Sequence, residues 1–230
     1  MHLGSKASRS KDALKFIEKN SCERLILNGD IVDGWALKRG GKWKDSHTRF
    51  VKRVLKIAKK AEVIYVVGNH DDFLDKFRPL NLNQIRIVRE YIMTDLRGRR
   101  LYVFHGDVLD VFSTSMRWLA VIGSVGYDIA LWLNRLYNVY REWRNLPYYS
   151  ISQAIKSRVK SALSFMSDFE KKAISLAESK GCEVAVCGHI HQAKLGDQYM
   201  NSGDWCESCS ALVEKLDGTW EIQYFHALKP

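Results

Sequence analysis

Val63-Ile64-Tyr65-Val66-Val67-Gly68-Asn69-His70-Asp71 is a short run of apolar and aromatic residues that stops at a glycine and three polar side chains. Apolar at every position rather than at alternate ones, it predicts a strand buried on both faces, the condition of a parallel sheet covered by helices. Before it, residues 47–61 place Phe50, Val51, Val54, Leu55, Ile57 and Ala58 on one helix face, so the local order is helix, strand, polar turn. The same order occurs upstream: residues 9–19 carry Ala13, Leu14, Phe16 and Ile17 at helical spacing, and the apolar run 24–27 ends in Asn28-Gly29-Asp30. Downstream, the run 101–104 stops at His105-Gly106-Asp107 and the run 184–187 at Gly188-His189-Ile190-His191. Ligands of α/β sheets bind beyond the carboxyl ends of the strands, so four strands punctuated alike predict one shared site.

Beyond His191 the pattern changes to short strand-like stretches near 194–200, 210–215 and 220–225. The last two are joined by Asp217-Gly218, a hairpin signal that predicts antiparallel or mixed pairing. Residues 108–180 are helical by period and rich in aromatic residues such as Trp118, Tyr127 and Trp132, which predicts a helical insertion of about that extent. With 230 residues, 46% of them hydrophobic, and only three prolines, nothing marks a boundary between independent domains. The expectation is one domain over 1–230, α/β in class, with mixed sheets flanked by helices.

The same composition excludes a chain disordered throughout, and no run reaches the length of a membrane span. A net charge of +10 attracts polyanions, among them nucleic acids, nucleotide phosphates and anionic lipids, or it serves only as a soluble surface. Five cysteines, an odd number with no signal peptide, point to a reducing cytoplasm. Cys206 and Cys209 form a C-x-x-C open to a redox or half-zinc reading, with no second pair to accompany it.

Five of the seven histidines, His2, His70, His105, His189 and His191, fall in the polar turns or at the first residues. Imidazoles joined by one carboxylate, Asp30, and one amide, Asn69, suit manganese, iron or zinc better than calcium, whose shell is all oxygen. Two such ions need a bridging ligand, and the two oxygens of Asp30 can span them, with Asp33 supporting from behind.

These motifs resemble those of the calcineurin-like metallophosphoesterases, whose pattern runs D-x-H, G-D-x-x-D, G-N-H-[DE], a His-Gly pair and G-H-x-H. Here His2 stands for the histidine of the first motif, Gly29-Asp30-Ile31-Val32-Asp33 for the second and Gly68-Asn69-His70-Asp71 for the third; His105-Gly106 and Gly188-His189-Ile190-His191 complete the set. The resemblance implies a four-layer α+β sandwich. It also implies His2, Asp30 and His191 on one divalent ion and Asp30, Asn69, His105 and His189 on the other, with manganese the first choice and iron or zinc as alternatives. The ions would acidify the water that attacks phosphorus; His70 would protonate the leaving oxygen or steady the transition state, and Asp71 would fix the tautomer of His70. The family's first aspartate, two residues ahead of the histidine, falls before Met1. On this reading one ligand and the strand bearing it are missing, and the 230-residue form is expected to be less active and less stable than one extended upstream.

Within the family, His2-Leu3-Gly4-Ser5, Gly34-Trp35, the long insertion and Gly203-Asp204-Trp205 followed by Glu207-Ser208 resemble the UDP-2,3-diacylglucosamine pyrophosphatase group. Those enzymes cleave a UDP-linked diacyl sugar to UMP and lipid X in lipid A biosynthesis. The resemblance implies a nucleotide-linked lipid as substrate, peripheral contact with the inner membrane from the cytoplasm, and substrate contacts from Asp33, Trp35, Arg117 and Arg135. An apolar groove would be lined by Trp118, Leu119, Ile122, Trp132, Leu133 and Trp143. The sequence departs from the group at His70, where its best-known members carry arginine. Another phosphodiesterase or a nuclease of the same fold, or a non-catalytic scaffold, are the alternatives. No interleaving of basic and stacking aromatic residues near the motifs calls for nucleic acid, and nothing in the sequence specifies an oligomeric state.

Overall fold

The structure, a computed structural model, describes residues 1–77, 80–82, 84–109, 137, 138, 140, 141, 143, 144 and 151–225. Along the chain run α1 (Ser10–Lys19), β1 (Arg24–Asn28), α2 (Gly34–Lys38), α3 (Asp45–Ile57), β2 (Glu62–Val66), β3 (Leu80–Leu82), β4 (Ile85–Val88), β5 (Glu90–Thr94) and β6 (Arg100–Phe104). Then come α4 (Ile151–Ser179), β7 (Val184–Cys187), β8 (Lys194–Leu195), β9 (Tyr199–Asn201), β10 (Ser210–Glu214) and β11 (Trp220–Tyr224). The chain divides into two compact units, Met1–Leu109 with Lys172–Pro230, and Asp110–Lys171. The sheets and the site described below belong to the first.

Three sheets form among the described residues, in the orders β1-β2-β4-β3, β5-β6-β7-β9-β8 and β10-β11. β1 with β2, β2 with β4, β6 with β7 and β7 with β9 are parallel, while the edge pairs β3–β4, β5–β6 and β8–β9 are antiparallel. The expected fold class, mixed sheets flanked by helices, is the one observed. Alternation along β2 shows why its apolar run is unbroken. Val63 and Tyr65 pack with Phe16, Ile17, Phe50 and Val54 of α1 and α3, whereas Ile64 and Val66 pack with Leu101, Val103, Val184 and Val186 of the second sheet. Apart from Tyr65, which is partly buried, each of these side chains contributes roughly 1.5–3 kcal/mol relative to exposure.

Two differences from the sequence reading have physical causes. β3, β4 and β5 have no counterpart in it, because 80–94 is broken into short pieces by Asn81, Arg86 and Arg89, without the long apolar signature of the central strands. The sequence reading leaves the strand ahead of β1 missing, and in its place the structure has one parallel bridge, Leu3 to Val32, supported by His2 N–H to Asp30 O and Leu3 N–H to Ile31 O, both 2.8 Å. Residues 137, 138, 140, 141 and 143 are helical. Arg117, Trp118, Leu119, Ile122, Trp132, Leu133 and Arg135 lie outside the described residues. No helix among the described residues is long and apolar enough to cross a membrane.

Candidate metal centre

Parallel pairing turns the carboxyl ends of β1 and β2, and of β6 and β7, the same way within each sheet, and the motif residues follow directly. Asp30 comes two residues after β1, Asn69 and His70 three and four after β2, His105 one after β6, His189 and His191 two and four after β7. The Leu3–Val32 bridge adds His2. The side chains converge on Asp30. Its Oδ1 accepts the His70 backbone N–H at 2.9 Å, and its Oδ2 lies 3.2 Å from His105 Nε2 and 3.7 Å from His2 Nε2. His189 Nδ1 is 3.3 Å from His105 Nε2, and His191 Nε2 is 3.3 Å from His2 Nε2.

This crowding is reached through unusual backbone. Among the described residues, five non-glycine residues have positive φ, and four of them are His2 (54°), Asp30 (54°), His189 (63°) and His191 (57°). Such conformations cost free energy outside glycine and persist where the surrounding structure imposes them, characteristically at functional sites. The neighbouring glycines make room. A Cβ at Gly29 would fall 2.0 Å from His105 Nδ1, and one at Gly68 would fall 2.5 Å from Asp30 Oδ1.

Behind the donors stands a layer of orienting groups. His105 Nδ1 faces the Asn28 carbonyl at 3.2 Å, a contact that assigns the proton to Nδ1 and leaves Nε2 aimed at Asp30. His191 Nδ1 faces Asp204 Oδ2 at 3.2 Å, while Asp204 Oδ1 accepts N–H bonds from Cys206, Glu207 and Ser208. His70 Nδ1 lies 3.0 Å from Asp33 Oδ1, and His2 Nδ1 lies 3.4 Å from Asp33 Oδ2. The expected pairing of Asp71 with His70 is therefore corrected: Asp33 is the carboxylate on His70. Asp71, fully buried, accepts the Ile31 N–H (2.8 Å), the Gly68 N–H (2.5 Å) and the Tyr65 hydroxyl (2.7 Å), which ties the turn after β1 to the turn after β2. Asp204 and Tyr65 lie outside the site expected from sequence. Asp204 is legible there only as part of the Gly203-Asp204-Trp205 resemblance, and Tyr65 reads as one more residue of an apolar strand.

Among the described residues two donor groups can each close on a cation: Asp30 with His105 and His189, and His2 with Asp33 and His70, with the donor atoms of each group within 4.8 Å of one another. The first matches three of the four ligands expected for one ion. The second places Asp33 and His70 where Asp30 and His191 were expected beside His2, although His191 abuts His2 as well. Asn69 Oδ1 is buried without a hydrogen-bond partner. Buried polar atoms are ordinarily satisfied, so an orphaned amide oxygen beside Asp30 and His70 fits a ligand for a cation.

Around Asp30 the charges act on one another. Burial opposes its ionisation, but the hydrogen bond and charge of His105 hold its carboxyl well below the usual range. For His105 burial works downward, and the bond to Asp30 overcomes it and raises the imidazole. Burial pushes His2 down to about 3, which keeps it in the neutral form that metals require. Burial pushes the Cys209 thiol up to about 11, away from the reactive thiolate that a redox reading of the C-x-x-C needs. Trp35, 40% exposed, stacks on His70 with ring centroids 4.4 Å apart. Arg117 and Arg135, the other expected substrate contacts, lie outside the described residues.

Comparison with known proteins adds a family and a set of relatives. Residues 2–193 match the family described as calcineurin-like phosphoesterase. The chain is 23% identical over 209 residues to a UDP-2,3-diacylglucosamine hydrolase of Shewanella piezotolerans, an alignment covering 86% of this chain and 83% of that one. Over 224 residues it is also 23% identical to the protein of the same name in Vibrio cholerae, covering 87% and 84%.

Proposed function

The chain belongs to the calcineurin-like phosphoesterase family, and from that premise we propose that this metal-dependent phosphoesterase cleaves the pyrophosphate of a UDP-linked diacylglucosamine, with manganese as its ion. The observation that carries the metal chemistry is Asp30, whose Oδ2 is approached by both His105 and His2 while its Oδ1 is fixed by the His70 N–H. In this reading His105, His189, Asn69 and Asp30 hold one ion, and His2, His191 and Asp30 hold the other, with Asp33 close behind. Two divalent ions supply neutralisation of phosphoryl charge and acidification of water.

The remaining work falls to the chain's own side chains. His70 is held by Asp33 at Nδ1 and by the ring of Trp35, which leaves Nε2 as the nitrogen that would meet a leaving-group oxygen. A positioned imidazole of this kind delivers a proton as the P–O bond breaks, an effect of about 10²–10⁴ in rate. The likeness to UDP-2,3-diacylglucosamine hydrolases over most of both chains supports the nucleotide-lipid substrate; a diacyl substrate in turn favours action from the cytoplasm at the surface of the inner membrane.

The test is a manganese-dependent assay of the purified chain on UDP-2,3-diacylglucosamine, a generic phosphodiester and single-stranded DNA, with Asp30→Asn as control. Release of UMP from the lipid, well above hydrolysis of the other two, is expected. Equal or faster hydrolysis of the diester or the DNA would overturn the substrate, and an active Asp30→Asn protein would overturn the metal centre.

A further inference from the structure

The positive charge of the chain is concentrated in one place. Residues 38–60, a tenth of the sequence, contain ten Lys or Arg and one acid, Asp45. Without them the chain has 26 basic and 25 acidic residues, so this stretch carries nine of the ten net charges. A basic surface that served solubility alone would be spread out and interspersed with acids.

In the fold this stretch is the end of α2, the following loop, α3 and the turn after it. The inner face of α3 is spent on packing: Ser46, His47, Phe50 and Val54 are buried, and Arg53 donates to the Ile17 carbonyl at 3.2 Å. Arg49, Lys52 and Lys56 point outward at helical spacing, continued by the exposed Lys59 and Lys60. Along the flank of that basic face lie apolar side chains that water would ordinarily exclude. Val51 and Leu55, one turn apart, are 36% and 50% exposed, and Trp43 is 45% exposed with its indole N–H on Thr48 Oγ1 at 2.9 Å.

We propose that the outward face of α3, with Trp43 from the preceding loop, docks the protein on an anionic lipid bilayer. The cations meet lipid phosphates, while Trp43, Val51 and Leu55 enter the boundary between headgroups and acyl chains. A helix with a cationic face and adjoining apolar residues is the form that lies in a membrane interface, where aliphatic side chains gain burial. A nucleic acid offers no comparable partner for Val51 and Leu55, since its stacking contacts are made with rings. The segment that carries this face follows α2 in the chain, and α2 reaches the site. α2 is capped by Asp33, which accepts the Ala36 N–H at 2.7 Å and pairs with His70, and Trp35 of the same helix packs on His70. Docking through α3 would hold the protein at a bilayer whatever phosphoester is cleaved at the site.

Flotation of the full chain with vesicles of pure phosphatidylcholine, or of phosphatidylcholine with about one-third phosphatidylglycerol, tests this. Binding is expected to the anionic vesicles only and to fall steeply toward about 0.5 M salt. Lys52→Glu/Lys56→Glu should weaken it by about tenfold or more. Val51→Ser/Leu55→Ser should weaken it several-fold, with the salt dependence retained. Hydrolysis of a water-soluble phosphodiester at the parent rate in both variants verifies that the fold and centre are intact, and it separates this test from that of the substrate. Equal binding to neutral vesicles, parent-like binding by the charge-reversed protein, or binding to single-stranded DNA with none to vesicles would overturn the proposal.

Discussion

On one side of Asp30, His105 is fully enclosed, oriented by a backbone carbonyl and in contact with His189; on the other, His2 and His191 touch each other, and each has a carboxylate behind it, Asp33 and Asp204. The first side is built from strand-end turns and main chain, which few substitutions can alter. The second relies on side chains, and one of them, Asp204, comes from a turn after β9. Rigidity and adjustability are thus divided between the halves of one centre. The side closer to His70 and Trp35 is the one whose donors are tuned by carboxylates.

If Asp30 serves both sides, its loss should abolish the distinction between them. Asp30→Asn keeps the shape but removes the shared charge, and several kcal/mol of transition-state stabilisation go with it, about a 10³-fold or larger fall in kcat. Metal content by elemental analysis should drop on both sides together; retention of one full equivalent would mean that Asp30 belongs to only one half. His70→Ala comes next, at about 10²-fold. Its deficit should shrink with a p-nitrophenyl leaving group, which needs no proton, and a deficit independent of leaving group would assign His70 to metal binding with His2 and Asp33 instead.

Asp204→Asn separates the halves. A carboxylate behind a ligating histidine is worth about 10–100-fold in metal affinity or activity. The change should weaken the ion held by His191 and leave the other untouched, so titration with manganese should resolve one tight and one weakened step. Two equally weakened steps would show that the halves do not act separately. The Asp204 carboxyl is well placed for this role: burial opposes its charge, but His191 and the N–H groups of Glu207 and Cys206 hold it well below the usual range.

What is legible in the sequence follows the same division. Asp30, Asn69, His105, His189 and His191 each follow an apolar run within a few residues, so strand position alone predicts that they gather. The supporting contacts are not legible, because they are decided by three-dimensional approach. Asp71 is adjacent to His70 in sequence, yet its side chain turns to the Ile31 and Gly68 N–H groups, and Asp33, 37 residues earlier, takes the histidine. In a turn, adjacent side chains diverge, whereas two turns brought together by parallel strands face each other. Positive φ at four donor residues is likewise invisible, since histidine and aspartate carry no local preference strong enough to announce it.

The smallest expected effect tests whether the turns are held together before any ion arrives. Tyr65 reaches from β2 to Asp71, whose other bonds run to Ile31 beside Asp30 and to Gly68 beside Asn69. Tyr65→Phe deletes one hydrogen bond to a buried carboxyl group, worth about 1.5–3 kcal/mol, and leaves the two backbone bonds in place. For a chain of this size that is a fall of roughly 3–12 °C in Tm, with kcat changed by only a small factor. If the turns that carry Asp30 and Asn69 are preassembled for cations through this bond, the variant binds manganese more weakly, so its Tm deficit should grow in saturating manganese. A Tm deficit identical in manganese and in chelator would mean that Tyr65 stabilises the sheet alone, and that the turns are assembled by the ions rather than for them.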